Sequence, residues 1–114
     1  MSRAFVMEFC AGLPGAAWSE PFGPGTDVWK LGGKIFAAIG ADAAGVSVKC
    51  PDVETAEMLR AAGVATKAPY FHKSWVMVPF AEGEAELEHR LRVSYETIRA
   101  SLPKKMQANL APAT

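Results

Sequence analysis

The sequence predicts an α+β two-layer sandwich, an antiparallel sheet of about five strands with helices packed on one face. Three observations carry that expectation. Glu84 to Ala100 repeats apolar residues at helical spacing, whereas Ala17 to Cys50 breaks into short apolar runs separated by glycine and proline. The connections between those runs are too short for anything but antiparallel neighbours. The chain is 114 residues long, the size of one domain, so 1–114 is read as a single unit around one core.

Ser2 stands where it can cap a first helix over Arg3 to Ala11, with Phe5, Val6 and Phe9 on one side. Gly12-Leu13-Pro14-Gly15 stops that helix. A four-stranded meander then runs from Ala17 to Cys50. In it, Gly23-Pro24-Gly25 puts proline and then glycine at the centre of a type II turn. Gly32-Gly33 joins Asp27–Leu31 to Lys34–Ile39 as a two-residue hairpin loop, and Gly40 to Gly45 makes a looser connection. Val46, Val48 and Cys50 alternate with Ser47 and Lys49, the pattern of a half-buried strand.

Pro51 and Asp52 open a second helix, which passes Leu59, reaches Ala62 and stops at Gly63. Val64 to Ser74 reads as a long connection and Trp75 to Phe80 as a fifth strand. In the helix from Glu84 to Ala100, Leu87, Leu91, Tyr95, Ile98 and Leu102 fall on one face. Glu86 with Arg90 and Glu88 with Arg92 form i,i+4 pairs on that helix. Pro103 breaks it and starts a last helix, Lys104 to Leu110, and the tail from Ala111 to Thr114 is expected to fray.

The glycine hairpin predicts a register in which Leu31 pairs with Lys34, Trp29 with Phe36 and Val28 with Ala37. One sheet face would then carry Trp29, Leu31, Lys34, Phe36 and Ala38, and the other Val28, Lys30, Ile35, Ala37 and Ile39. Both faces are largely apolar. Either the aromatic residues pack beneath a helix, or they stand on a surface that binds something.

Composition narrows the function. Half the residues are hydrophobic and 21% are charged, which is a globular balance rather than a disordered one. Twelve basic residues meet twelve acidic ones, which excludes a strongly basic coat or an acidic tail. The two cysteines and two histidines are too few for a disulfide framework or a structural zinc site, and no metal or cofactor is expected. Cys10 and Cys50 read as free buried thiols of a reducing compartment. The first residues lack the long apolar core of a signal peptide, and no apolar run is long enough to span a bilayer. The expectation is a cytoplasmic protein without a membrane partner. A phosphate loop at Gly33-Lys34 is excluded because Val28 stands where its first glycine belongs and Ile35 follows the lysine.

Lys67-Ala68-Pro69-Tyr70-Phe71-His72-Lys73-Ser74-Trp75 is the segment richest in binding chemistry. Long aromatic connections carry function more often than short ones do. Between Met58 and Ala81 the charged residues are Arg60, Lys67 and Lys73, with no acid, while Glu82, Glu84, Glu86 and Glu88 crowd together next. Aromatic and basic side chains in one place can stack on bases and meet phosphates. Lys30, Lys34, Lys49, Lys67 and Lys73 are the candidate phosphate contacts, with Trp29 and Trp75 as stacking or wedging residues and double-stranded DNA as the partner. The alternative is a module that binds a protein or small ligand in an aromatic cleft of Tyr70, Phe71, His72 and Trp75. A nucleophile-and-base pair drawn from Cys10 or Ser74 with His72 has no motif to orient it, so a non-catalytic protein is expected.

Several stretches together resemble the MmcQ/YjbR family. These are Pro21 to Lys30, Gly33 to Ala37, Val46 to Pro51, Ala68 to Val76, Ser94-Tyr95 and Leu102-Pro103-Lys104-Lys105, in the family's order along nearly the whole chain. The resemblance implies a fold similar to that of CyaY, the bacterial frataxin. It also implies DNA binding, through a fold similar to a phage transcription-factor domain whose curved sheet acts as a double wing. It brings no catalytic residues. Frataxin's acidic iron-binding ridge is not matched, since only Glu8 and Glu20 stand in the corresponding helix and strand.

Overall fold

A computed structural model describes residues 2–110, the side chain of Ser2 excepted. The cap expected of Ser2 and the fraying expected of Ala111 to Thr114 lie outside the described residues. The order along the chain is α1 (Ser2–Ala11), β1 (Ala17–Ser19), β2 (Asp27–Leu31), β3 (Lys34–Ile39), β4 (Gly45–Lys49), α2 (Val53–Ala61), β5 (Thr66–Lys67), β6 (Trp75–Pro79), a 3-10 turn (Phe80–Glu82), α3 (Glu84–Ser101) and α4 (Lys104–Ala108). The strands form one antiparallel sheet in the order β1-β2-β3-β4-β6-β5. It has six strands rather than five. The sixth, β5, is two residues long and lies inside the stretch expected to be a connection. So short a segment leaves no periodic signal.

The local chemistry behind these elements is as the residues suggest. Asp52 accepts a hydrogen bond from the Thr55 N–H at 2.7 Å and caps α2. That contact holds its carboxyl below the usual carboxylate range. Gly32 and Gly33 have φ of 58° and 84°, the left-handed pair that a tight hairpin needs. Helix α3 lies across β3 and β4, with α1 beside it, and α2 packs against β5 and β6. Leu87, Leu91, Tyr95 and Ile98 of α3 join Val6 and Cys10 of α1, Leu59 of α2 and the inward strand residues in one core. Tyr95 meets Phe36 edge-on, the ring centroids 5.5 Å apart, and its hydroxyl donates to the Pro14 carbonyl.

The register of the β2–β3 hairpin differs from the expected one. Leu31 pairs with Lys34 and Lys30 with Ile35, but Trp29 then pairs with Ala37, Val28 with Ala38 and Asp27 with Ile39. A bulge at Phe36 absorbs the extra residue. It turns Phe36, Ala37 and Ile39 all to the helix side, and moves Ala38 to the opposite face. Lys34–Ile39 is apolar at nearly every position, so alternation could not reveal the slip. Ser94 supports the bulge from α3. Its hydroxyl donates to the Phe36 carbonyl and accepts the Lys49 N–H at 2.9 Å, where the regular β3–β4 pairing has ended.

The helices cover only one face of the sheet. Alternation from the core-facing Trp29, Val48 and Val76 puts Lys30, Ala38, Ser47, Lys49, Trp75 and Met77 on the other face. Among the described residues no helix packs there, and two loops overhang it instead.

Candidate functional site

The uncovered face holds a cleft of about 480 Å³. Ala38, Ser47 and Met77, one from each of three adjacent strands, form its floor. One wall is the turn carrying Phe22 and Thr26, and the other is the Pro69-Tyr70-Phe71 segment. The volume is that of a small-molecule site and the lining is almost wholly apolar. Phe22 and Tyr70 flank the cleft at 69% and 105% exposure, so two large rings face solvent over an apolar floor.

Each wall is held by specific bonds. Arg3 reaches from α1 to the Phe22 turn, donating to Asp27 Oδ2 at 2.8 Å, to the Gly25 carbonyl at 2.6 Å and to the Gly40 carbonyl at 3.0 Å. Glu20 accepts the Gly25 N–H at 2.9 Å, and Trp18 Nε1 donates to the other Asp27 oxygen at 2.8 Å. Gly25, with φ of 90°, and the Thr26 N–H bond to the Gly23 carbonyl make the turn expected at Gly23-Pro24-Gly25. On the other wall Tyr70 has φ of 69°, in the left-handed region that a bulky side chain enters at a cost. Phe71 stacks on Trp75 with ring centroids 4.3 Å apart and 19° between their planes.

A second, smaller pocket of about 260 Å³ adjoins this wall. Arg60, Lys67, His72 and Lys73 line it together with Phe71 and Trp75, and among the described residues no carboxylate does. Phe71 is common to the pocket and the cleft. Behind the pocket runs a bonded chain. Lys49 Nζ donates to Ser74 Oγ at 2.7 Å, Ser74 Oγ lies 2.9 Å from His72 Nδ1, and the Ser74 N–H donates to the same nitrogen at 3.1 Å. Nδ1 is therefore an acceptor, and the neutral ring carries its proton on Nε2. Ser74 is buried at 3% exposure, and the Trp75 N–H bond to the His72 carbonyl closes the 72–75 turn.

The structure divides the expected phosphate contacts. Lys67 and Lys73 line the small pocket, Lys49 stands behind it, and Lys30 lies on the uncovered face two strands away from Lys49. Lys34 sits apart, with its ammonium against Ser101 at the end of α3, because Leu31 and Lys34 share the helix side. Trp29 is also on that side, 6% exposed in the core with its indole N–H on Met7 Sδ. The expectation that Trp29 stacks on a partner is corrected by this placement. Trp75 is on the uncovered face, but it lies beneath Phe71 at 8% exposure. Tyr70, Phe71, His72 and Trp75 do come together, divided between cleft and pocket. Cys10 lies in the core, away from His72's turn, and burial pushes its thiol up to about 12. Both cysteines are free. Burial raises Cys50 as well, against the pull of Arg90, Lys49 and Arg60.

Arg60, Phe22, Ala38, Ser47 and Met77 were not singled out for the site from the sequence. Their signals are weak: an apolar ring in a proline-glycine turn, a basic residue on a helix, and floor residues that only strand order unites.

An open antiparallel sheet with helices on one side and a lined cleft on the other defines an open two-layer α+β fold. The family model named YjbR matches residues 11–97, and the chain belongs to that family. The crystal structure of a Deinococcus radiodurans protein, DR2400, with a domain of the DUF419 family model, is similar at a TM-score of 0.77 and 26% identity, covering 90% of this chain and 83% of that one. A search of curated proteins finds no match. Among the described residues no helix is long and apolar enough to cross a membrane.

Proposed function

We propose that this protein is a non-catalytic binding module that takes an apolar group into the cleft on its uncovered sheet face. The observation that carries this reading is the pair of solvent-facing rings, Phe22 and Tyr70, set on opposite walls above a floor of Ala38, Ser47 and Met77. Exposed apolar surface of this kind marks an interaction site, and the cost of holding Tyr70 in a left-handed conformation is typical of functional segments. The Ser74 hydroxyl supports the non-catalytic reading. It is buried, accepts from Lys49 of β4 and donates to His72 Nδ1 within its own turn. The test is binding of a neutral fluorescent apolar dye. Ala38→Leu fills the floor without entering the core and should weaken the dye at least fivefold, whereas Lys30→Ala should not. Equal binding to wild type and Ala38→Leu would contradict the reading.

DNA contact is a second reading, favoured by one observation: Lys30 and Lys49 share the uncovered face while Lys67 and Lys73 line the small pocket beside the cleft. With Lys34 and Trp29 turned to the helix side, four lysines remain for the backbone.

A further inference from the structure

We infer that the small pocket beside the cleft is a phosphoryl subsite, so that the ligand is a small organic phosphate whose apolar body lies in the cleft. This rests on the cleft reading above for the apolar half of the ligand. The pocket's own chemistry supplies the other half. Arg60 comes from α2, Lys67 from β5, and His72 and Lys73 from the loop before β6. Three fixed cationic side chains therefore converge from separate elements with no carboxylate among the lining residues. That is unusual in a chain whose charges balance overall at twelve and twelve. Elsewhere Arg3, Arg90 and Arg92 each have an acidic partner. Mutual repulsion in the small pocket is relieved by a bound dianion.

The pocket is also built to donate. Arg60 is oriented by a bond from Nη1 to the Lys73 carbonyl at 3.4 Å, which ties α2 to the loop. The Ser74 N–H engages His72 Nδ1, so the free ring nitrogen is an N–H donor rather than an acceptor. Guanidinium, two ammonium groups and an imidazole N–H match the several acceptor oxygens of a phosphate monoester better than the two of a carboxylate. Phe71 borders both compartments, so one ligand can place a ring or chain on its cleft side and a phosphoryl group on its pocket side.

The experiment titrates three probes into the ¹⁵N-labelled full chain: inorganic phosphate, benzyl alcohol and phenyl phosphate. Phosphate should shift the amides of Lys73 and Ser74, benzyl alcohol those of Ser47 and Met77, and phenyl phosphate both sets with the tightest affinity. Lys67 and Lys73 are exposed, so the double variant K67A/K73A should fold as wild type does. It should weaken phosphate and phenyl phosphate at least tenfold and leave benzyl alcohol unchanged. No amide shift near Lys73 and Ser74 at tens of millimolar phosphate, with benzyl alcohol still bound, would overturn the subsite and spare the cleft. The reverse pattern would keep the subsite and overturn the cleft. Displacement of phenyl phosphate by a stoichiometric DNA duplex would overturn the assignment to a small molecule.

Discussion

Tyr70 combines full exposure with a left-handed backbone, and these two facts set opposite expectations for stability and binding. Tyr70→Gly removes roughly 1–2 kcal/mol of left-handed strain and adds up to about 1 kcal/mol of unfolded-chain entropy. Its Tm should therefore hold or rise, while affinity for a neutral apolar dye falls severalfold. A clear loss of Tm would mean that the ring packs on something essential. Cys10 is the other residue whose surroundings yield a measurable consequence. Its folded thiol is raised by burial to about 12 from an ordinary value of 9.0. Above pH 9 the unfolded chain releases that proton and the folded chain keeps it, so stability is complete below pH 9 and falls as pH climbs toward 12. Urea midpoints measured from pH 8 to 10.5 should fall less steeply for Cys10→Ala than for wild type. Parallel slopes would contradict the assignment.

At the scale of elements, Ser94 carries the most consequence, because it joins α3 to two strands where their ladder opens. Ser94→Ala strands a buried carbonyl and a half-buried N–H, and should cost about 2–4 kcal/mol in urea unfolding. A loss below ~1 kcal/mol would show that the bulge closes without it. The same region marks the boundary of what sequence could tell. Turn glycines, short apolar runs and the apolar stripe of α3 are local signals, and they located the hairpin, the helices and five of the six strands. The Phe36 bulge was hidden because Lys34–Ile39 offers an apolar side chain to either register, and only packing against Tyr95 and Ser94 chooses between them. That Tyr70, Phe71, His72 and Trp75 come together was legible because they are close in sequence. Arg60 and the cleft floor were not, since sheet order and the α2 crossover bring them there from distant positions.

For the molecule as a whole, the layer arrangement matters more than net charge. Covering one sheet face leaves the other free, and overhanging loops turn it into a cleft. Should Lys30, Lys49, Lys67 and Lys73 together hold duplex DNA, log affinity would fall with log salt at a slope of about −3.6. Lys34→Ala would leave that slope unchanged. A slope near zero, or no complex at micromolar protein in low salt, would remove the nucleic-acid reading. The most direct test of the central claim is where a neutral apolar probe sits. Intermolecular NOEs measured on the methyl-labelled chain should connect the probe to Ala38 and Met77 on the uncovered face. NOEs to the exposed methyls of Met58 on α2 or Met106 on α4 instead, with none to Ala38 or Met77, would contradict it.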